Sequence, residues 1–159
     1  MRRPISLMIL IAVAIIVLDR ITKLWVVEWM DLKTVLVIDV MPPFLRFVMA
    51  WNTGINFGLF GGGSDGARWT LIAIALVISV AVAIWAARSG QVLIGILSGL
   101  VIGGALGNVW DRLTYGAVAD FLNMSCCGIN NPYAFNVADI SIFAGAIGLV
   151  LFTGGNKGA

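Results

Sequence analysis

Four long apolar stretches constrain the fold of this chain more than any other feature. They cover residues 5–27, 67–87, 91–110 and 136–153. A helix of about 20 apolar residues spans the hydrocarbon core of a bilayer, which is roughly 30 Å thick. Charged residues make up only 11% of the chain, against about 25% in soluble domains. We therefore predict one α-helical membrane domain, residues 1–159, with four transmembrane helices.

The charged residues predict an orientation in the membrane. If the amino terminus is cytoplasmic, the inner segments carry Arg2, Arg3, Arg88 and Lys157 and no acid, while all 8 acidic residues lie outside. Short, purely basic inner segments agree with the positive-inside rule. Arg2 and Arg3 before an apolar run also suggest a secretory signal, but no small-residue cleavage site follows, so we expect an uncleaved span. Five tryptophans are expected near the outer interface: Trp25, Trp29, Trp51, Trp69 and Trp110.

Two extracytoplasmic segments join these helices in the predicted topology. The first, residues 31–66, contains "TVLVIDV" and "FLRFVMAW", separated by Pro42-Pro43. β-Branched and aromatic runs broken by prolines predict two strands and a turn, so we expect a small β-sheet between helices 1 and 2. The segment ends in "GGGSDG", a flexible return to the membrane. The second, residues 111–135, is predicted to be a loop, in which "NMSCCGINNP" forms a mobile flap.

Several chemistries are excluded by what the sequence lacks. There is no histidine, which removes Ser-His-Asp and Cys-His catalysis and His-ligated metal sites, so we predict no metal and no cofactor. A net charge of +2 without a basic cluster gives no reason to expect nucleic acid binding. Cys126 and Cys127 are adjacent and lack redox or zinc spacing. They are read as loop residues, with a vicinal disulfide or a lipidated thiol as alternatives.

Polar residues from separate segments reach one depth of the predicted membrane protein. They are Asp19, Lys23, Asn52, Asn108, Asp111, Arg112, Asp120, Asn136 and Asp139. Asp19 and Lys23 are four residues apart and share a helix face. These two, and Asp111 beside Arg112, are explained adequately as interfacial ion pairs.

Asp120 and Asp139 are not explained in this way, because neither has a cation beside it in sequence, although Arg112 is able to reach one of them in a fold. Two carboxylates close together in a low-dielectric site share one proton. The ionised one then accepts a proton from water and the neutral one donates a hydrogen bond to a carbonyl. The sequence alone does not establish that the two meet.

Four motifs in order carry a family resemblance: "LDRITK" (Leu18–Lys23), "NTGINFG" (Asn52–Gly58), "GGALGNVWDRLTYGAVADF" (Gly103–Phe121) and "FNVADISI" (Phe135–Ile142). Together they resemble the signature motifs of bacterial lipoprotein signal peptidases, also called type II signal peptidases, over nearly the whole chain. That family consists of membrane aspartyl endopeptidases, which remove the signal peptide from prolipoproteins on the amino-terminal side of a diacylglyceryl-modified cysteine. The resemblance implies that Asp120 and Asp139 are the catalytic pair.

The resemblance also implies roles for the other polar residues. It implies that five residues line the site and hold the substrate backbone: Asn52, Gly54, Asn108, Arg112 and Asn136. It implies that three others support the fold: Asp19, Lys23 and Asp111. In the second motif, Ile55-Asn56 replaces the two alanines usual in the family, and no role is assigned to them.

The implied partners are prolipoproteins carrying diacylglyceryl-cysteine, membrane lipid, and cyclic peptide inhibitors of the globomycin type. The implied location is the bacterial plasma (inner) membrane, with several spans, both termini cytoplasmic and the active site at the outer leaflet interface. There the acyl chains of the substrate stay in the bilayer, and residues 31–66 form a cradle for the peptide.

Three other interpretations remain open. A small proton- or ion-coupled transporter is one, since intramembrane acids often mark ion pathways, but no internal repeat is visible and no charge lies mid-bilayer in the last three spans. A structural or assembly subunit is another, joined through the stripe Gly95, Gly99, Gly103 and Gly107, although plain helix packing explains that stripe equally well. A serine-lysine peptidase is the third, but Lys23 has no evident serine partner.

Overall fold

The computed structural model describes residues 2–54 and 65–153. In chain order the elements are α1 (Arg2–Lys23, continued by a π-helical segment, Leu24–Trp29), α2 (Leu32–Val35), β1 (Val37–Met41), β2 (Leu45–Asn52), α3 (Asp65–Ser89), α4 (Val92–Tyr115), β3 (Val118–Met124) and α5 (Val137–Thr153). Ile55-Asn56, most of the "GGGSDG" return and Lys157 lie outside the described residues.

Three of the described helices are long and apolar enough to cross a membrane. They span Arg3–Trp29, Asp65–Ser89 and Val92–Tyr115. The apolar helix Val137–Thr153 is shorter, at 17 residues, so the count of four spans stays a prediction. The tryptophans predicted for the outer interface are all exposed: Trp25, Trp29, Trp51, Trp69 and Trp110.

Helix α4 is the centre of the bundle and packs against α1, α3 and α5. Its glycine stripe faces α1 at backbone contact. A Cβ atom at Gly95 would lie 2.6 Å from the carbonyl oxygen of Pro4, and one at Gly103 would lie 2.7 Å from that of Ala12. Contacts this close leave no room for a side chain, so the stripe serves packing within the chain. This agrees with the packing interpretation and gives no support to an assembly surface.

The extramembrane part contains a three-stranded antiparallel sheet with the order β1-β2-β3. The predicted hairpin is present, with its turn at Pro42-Pro43. The first strand begins at Val37, later than predicted, because Thr34 belongs to the short helix α2. Leu36, with φ 68°, ends that helix and redirects the chain into β1.

The third strand corrects the sequence analysis. Residues 111–135 were predicted to be a loop, but α4 continues to Tyr115, and Val118–Met124 forms β3 beside β2. The chain turns between them at Gly116, whose φ of 79° favours glycine. Asp120 therefore lies on a strand and not in a loop. The sheet combines the insert after the first span with a strand that follows α4.

The sheet packs on the end of the first helix. Val26 and Val27 of the π-helical segment, together with Leu32, form a buried cluster with Ala119 and Phe121 of β3. Phe121 also contacts Phe47 edge to face, with ring centroids 5.9 Å apart. This packing fixes β3 relative to the helices and places the residue between Ala119 and Phe121, which is Asp120, at the junction of sheet and bundle.

Candidate active site

The two predicted catalytic aspartates meet at one end of the bundle, where α1 and α4 end and α5 begins. Asp120 comes from β3 and Asp139 from the first turn of α5. They interact electrostatically, and Asn136 contacts both. The other predicted polar residues reach the same end, called here the polar end.

Asn136 is the residue that joins the two carboxyl groups. Its side-chain Nδ2 donates to Asp120 Oδ1 at 2.7 Å, while its Oδ1 accepts from the backbone amide of Asp139 at 2.9 Å. The backbone amide of Asn136 donates in turn to Asp139 Oδ2 at 3.2 Å. This reciprocal pair is a capping box, with Asn136 at the N-cap of α5 and Asp139 three residues on. Asn136 is completely buried, so its geometry is fixed on all sides.

Two further asparagines each donate to one carboxyl group. Asn52, the last residue of β2, donates its Nδ2 to Asp120 Oδ2 at 3.1 Å. Asn108 of α4 donates its Nδ2 to Asp139 Oδ1 at 2.9 Å, and its Oδ1 accepts from Asn136 at 3.3 Å. Every oxygen of both carboxyl groups therefore has an amide donor. These donors orient the aspartates and supply no proton of their own.

The environment of Asp120 favours its neutral form. Its exposed fraction is 4%. Burial, and after it the nearby Asp139 carboxylate, raise the pKa of Asp120 to about 7, although the hydrogen bonds from Asn52 and Asn136 lower it. Asp139 is only partly buried. The two carboxyl groups thus have unequal surroundings, which is the arrangement that separates an acid from a base.

Arg112 lies near both aspartates without forming an ion pair with either. Its Nη1 donates to the carbonyl oxygen of Asn108 at 3.3 Å, and its charge interacts with Asp139 and Asp120. Gly54 lies against it, since a Cβ atom there would be 3.6 Å from Arg112 Nη2. A φ of 96° also favours glycine at this position.

The three residues predicted to support the fold form a buried cluster. Lys23 Nζ lies 2.8 Å from Asp19 Oδ2 and 2.6 Å from Asp111 Oδ2. The Asp19–Lys23 prediction is confirmed, but Asp111 pairs with Lys23 and not with Arg112, its neighbour in sequence. Because Lys23 is held between two carboxylates, it is unsuited to be the base of a serine-lysine pair.

This cluster also holds the backbone beside each of the two predicted catalytic aspartates. Asp111 Oδ2 accepts from the amide of Ala119 at 3.2 Å, and Asp19 Oδ1 accepts from the amide of Ala138 at 3.2 Å. Those amides belong to the residues directly before Asp120 and Asp139. Gly107 makes space for the arrangement, since a Cβ atom there would lie 3.1 Å from Asp19 Oδ2.

Two cavities open on the aspartates, and they differ in chemistry. One, of about 270 Å³, contains Asp120 and is otherwise lined by Ala50, Trp51, Asn52, Thr53, Gly54, Pro132, Tyr133 and Ala134. The other, of about 430 Å³, contains Asp139 and is otherwise lined by Phe135, Ile140, Phe143 and Ala144. We refer to them as the peptide cleft and the apolar groove. The pair of aspartates therefore lies between a mixed polar opening and an apolar one.

Sequence reasoning missed three residues near the two aspartates: Arg20, Asn123 and Tyr133, of which Tyr133 lines the peptide cleft. Arg20 contacts both Asp19 and Asp111. Asn123 is buried, and its Nδ2 donates to the carbonyl oxygens of Asn131 at 2.8 Å and Tyr133 at 2.9 Å, which holds the wall of the peptide cleft. Arg20 had a readable signal, since a charge in the last turn of an apolar helix needs a partner; Asn123 and Tyr133 had none.

Comparison with known proteins gives a consistent result. The model of the family described as "Signal peptidase (SPase) II" matches residues 11–153. The chain is 44% identical to the lipoprotein signal peptidase of Rhodopseudomonas palustris (strain ATCC BAA-98 / CGA009), over 92% of this chain and 91% of that protein. It is 40% identical to that of Methylobacterium sp. (strain 4-46), over 95% and 90%.

Two solved structures described as bacterial membrane enzymes share the fold. One superposes with a TM-score of 0.78 at 26% identity, covering 96% of each chain. The other has a TM-score of 0.75 at 28% identity, covering 97% of this chain and 93% of that one. Fold and site together define a membrane-embedded helical protein with an aspartate pair at one end of its bundle. The chain belongs to the signal peptidase II family.

Proposed function

We propose that this protein is an aspartyl endopeptidase that cleaves the signal peptide from diacylglyceryl-modified prolipoproteins, on the amino-terminal side of the lipidated cysteine. The observation that carries the proposal is the linked pair of Asp120 and Asp139, with every carboxyl oxygen oriented by an amide donor. The names of the curated relatives indicate the substrate class.

The surroundings of the two aspartates suggest their roles. Asp120, buried and neutral, donates a hydrogen bond to the oxygen of the scissile carbonyl, and Asp139, ionised, accepts a proton from the attacking water. Water oxygen bonds to the carbonyl carbon, and the proton of Asp120 moves to the carbonyl oxygen. When the C–N bond breaks, Asp139 gives its proton to the leaving amine and Asp120 regains its own. The products are a new carboxyl group on the signal peptide and the free amine of the lipidated cysteine.

The two cavities suggest how the substrate lies. The apolar groove beside Asp139 suits the acyl chains and the apolar signal segment, and the peptide cleft beside Asp120 suits the polar chain that follows the cysteine. Asn52, Gly54, Asn108, Arg112 and Asn136 then hold the substrate backbone or the aspartates themselves. A cyclic peptide inhibitor of the globomycin type would occupy the same position between the cavities.

The direct test is cleavage of a matched pair of substrates. Purified protein should cleave a prolipoprotein carrying diacylglyceryl-cysteine at the bond before that cysteine and leave the unlipidated form intact. The expected reason is that only acyl chains anchor the substrate in the apolar groove. Mass spectrometry of the products locates the bond. Equal cleavage of both forms, or cleavage elsewhere, would rule out the proposed specificity.

The proposed orientation places the polar end in the outer leaflet of the bacterial plasma (inner) membrane, with both termini cytoplasmic. Cys126 and Cys127 are exposed in the segment between β3 and α5, whose residues Pro132, Tyr133 and Ala134 line the peptide cleft, so they report on that side. A membrane-impermeant thiol reagent added to intact cells, under reducing conditions, should label them. A variant with both cysteines changed to Ser is the control for background. Labelling that occurs only in permeabilised cells would contradict the proposed orientation and place the cysteines on the cytoplasmic side.

The acid role of Asp120 predicts a pH dependence. A neutral Asp120 is required, and the pKa of Asp120 is raised to about 7, so kcat/KM should fall as the pH rises through about 7. The sign follows because the active form is the protonated one, which is lost on the alkaline side. The measurement is kcat/KM on the lipidated substrate between pH 5 and about 9. If kcat/KM rose instead as the pH passed through about 7, the assignment of the proton to Asp120 would be wrong.

A further inference from the structure

Arg20 lies in the last turn of α1 and contacts two carboxylates at the polar end. Its side chain is 17% exposed, and Nη2 donates to Asp19 Oδ2 at 3.2 Å and also to Asp111 Oδ1. Lys23 contacts the same two carboxylates. These four residues, called here the charge quartet, contain two cations and two anions, so the quartet as a whole is neutral.

The quartet is connected to the backbone on both sides of the reaction centre. Asp111 accepts the amide of Ala119, and Asp19 accepts the amide of Ala138. Each amide directly precedes a catalytic aspartate in sequence. A shift of either carboxylate would therefore move Asp120 or Asp139. Arg20 restrains both carboxylates through a single guanidinium nitrogen.

We propose that Arg20 is a positioning residue for the reaction, which holds Asp111 and Asp19 so that β3 and the first turn of α5 present the two aspartates to each other. The inference rests on the proposed function. Arg20 contacts Asp19 and Asp111 and not Asp120 or Asp139, so its effect is indirect and passes through the carboxylates of the first two and the amides of Ala119 and Ala138.

The quartet also acts electrostatically on the reaction centre, as the surroundings of Asp120 show. The charged groups around Asp120 are Asp139 from α5, Arg112 and Asp111 from α4, and Lys23 from α1, while β2 contributes the neutral Asn52. The charge of Lys23 lowers the pKa of Asp120, which means that charge in the quartet reaches the reaction centre. Loss of the Arg20 charge leaves the quartet negative. Asp120 then keeps its proton to a higher pH.

The test compares three variants with the wild type: Arg20→Gln, Arg20→Lys, and Arg88→Gln as the matched control. Arg88 is exposed in the last turn of α3, beside the start of α4, whereas Asp111 of the quartet lies near the end of α4. For each folded, detergent-purified protein, kcat, KM and the pH dependence of kcat/KM are measured on the lipidated prolipoprotein.

We expect Arg20→Gln to lower kcat by about 10- to 100-fold with little change in KM, since small misplacement of reacting groups costs that much. Its alkaline limit, which is the pH at which kcat/KM falls to half on the alkaline side, should move to a higher pH. Arg20→Lys keeps the charge, so its alkaline limit should be that of the wild type. Its kcat should be about 3- to 10-fold low, because the lysine side chain is one bond shorter and its ammonium does not reach both carboxylates as Nη2 of Arg20 does. Arg88→Gln should match the wild type.

Wild-type kcat and an unchanged alkaline limit in folded Arg20→Gln would overturn the inference and leave Arg20 a merely structural residue. If that variant does not fold, Arg20→Lys decides the matter, since a wild-type kcat there would also overturn it. The proposed function is judged separately, by cleavage with the wild type and its loss in Asp120→Asn. Failure of the Arg20 inference therefore leaves that proposal intact.

Discussion

Replacing either Asp120 or Asp139 with Asn should nearly abolish cleavage of a diacylglyceryl-modified prolipoprotein. Asn keeps the size and shape of the side chain but exchanges no proton at neutral pH, so Asp120→Asn removes the proposed general acid and Asp139→Asn removes the proposed general base. Such catalysis contributes about 10²- to 10⁴-fold in rate, and each loss should be at least of that order. The measurement is single-turnover cleavage by folded, detergent-purified variants, which separates chemistry from product release.

The two replacements should not be additive. Because one proton is shared between the carboxyl groups, the double variant should be scarcely slower than either single variant. Binding of the lipidated substrate should largely survive, since the apolar groove is built mainly by other residues. Asp65→Asn is the matched control, because Asp65 is an acid exposed at the start of α3 and should be changed without effect. Turnover by Asp139→Asn within a few-fold of the wild type would refute the paired-aspartate mechanism.

Asn136→Ala should have the next largest effect, although Asn136 exchanges no proton. The change removes the donor to Asp120 Oδ1 and the acceptor for the amide of Asp139. Leaving a buried hydrogen-bond partner unsatisfied costs about 1–3 kcal/mol, and two partners are affected, so we expect a loss of kcat/KM of about 10²-fold or more. Loss of the N-cap should also destabilise α5 by about 1 kcal/mol.

Asn52→Ala provides a graded comparison for Asn136→Ala. Asn52 is exposed and contributes a single bond to Asp120, at 3.1 Å, so its loss should cost clearly less activity. Kinetics are normalised to folded protein, and thermal unfolding in detergent reports the stability change separately. If Asn136→Ala were no worse than Asn52→Ala, Asn136 would be a local helix cap and not the link between the two aspartates.

The sheet shows where sequence patterns succeed and where they fail. The β1–β2 hairpin is local, and its β-branched runs and Pro42-Pro43 turn were readable. β3 was missed because "VADFLNM" follows a helix without a turn pattern that marks a hairpin. Its partner β2 lies far away in the chain: the Asn52–Asp120 hydrogen bond joins residues 68 positions apart. Only packing against β2 and the end of α1 makes this segment a strand.

The polar residues divide in the same way. The i, i+4 spacing predicted the Asp19–Lys23 contact, which the structure confirms at 2.8 Å. The same local reasoning paired Asp111 with Arg112, and this was wrong, because Asp111 points toward α1 and meets Lys23. Adjacent residues on a helix point in different directions, so nearness in sequence is a poor guide to ion pairs beyond the three- and four-residue spacings.

The class of this protein is readable from its sequence: apolar runs of membrane-spanning length, no histidine, four ordered motifs and two aspartates without adjacent cations. These properties are local or compositional, so they are readable without a fold. How Asn136 links Asp120 to Asp139, and how Arg20 is held, becomes visible only in the folded chain. The Arg20–Asp111 contact joins residues 91 positions apart, and the Asp19–Ala138 contact joins residues 119 positions apart. Contacts of that range depend on how α1, α4 and α5 pack, and no periodicity within one segment encodes them.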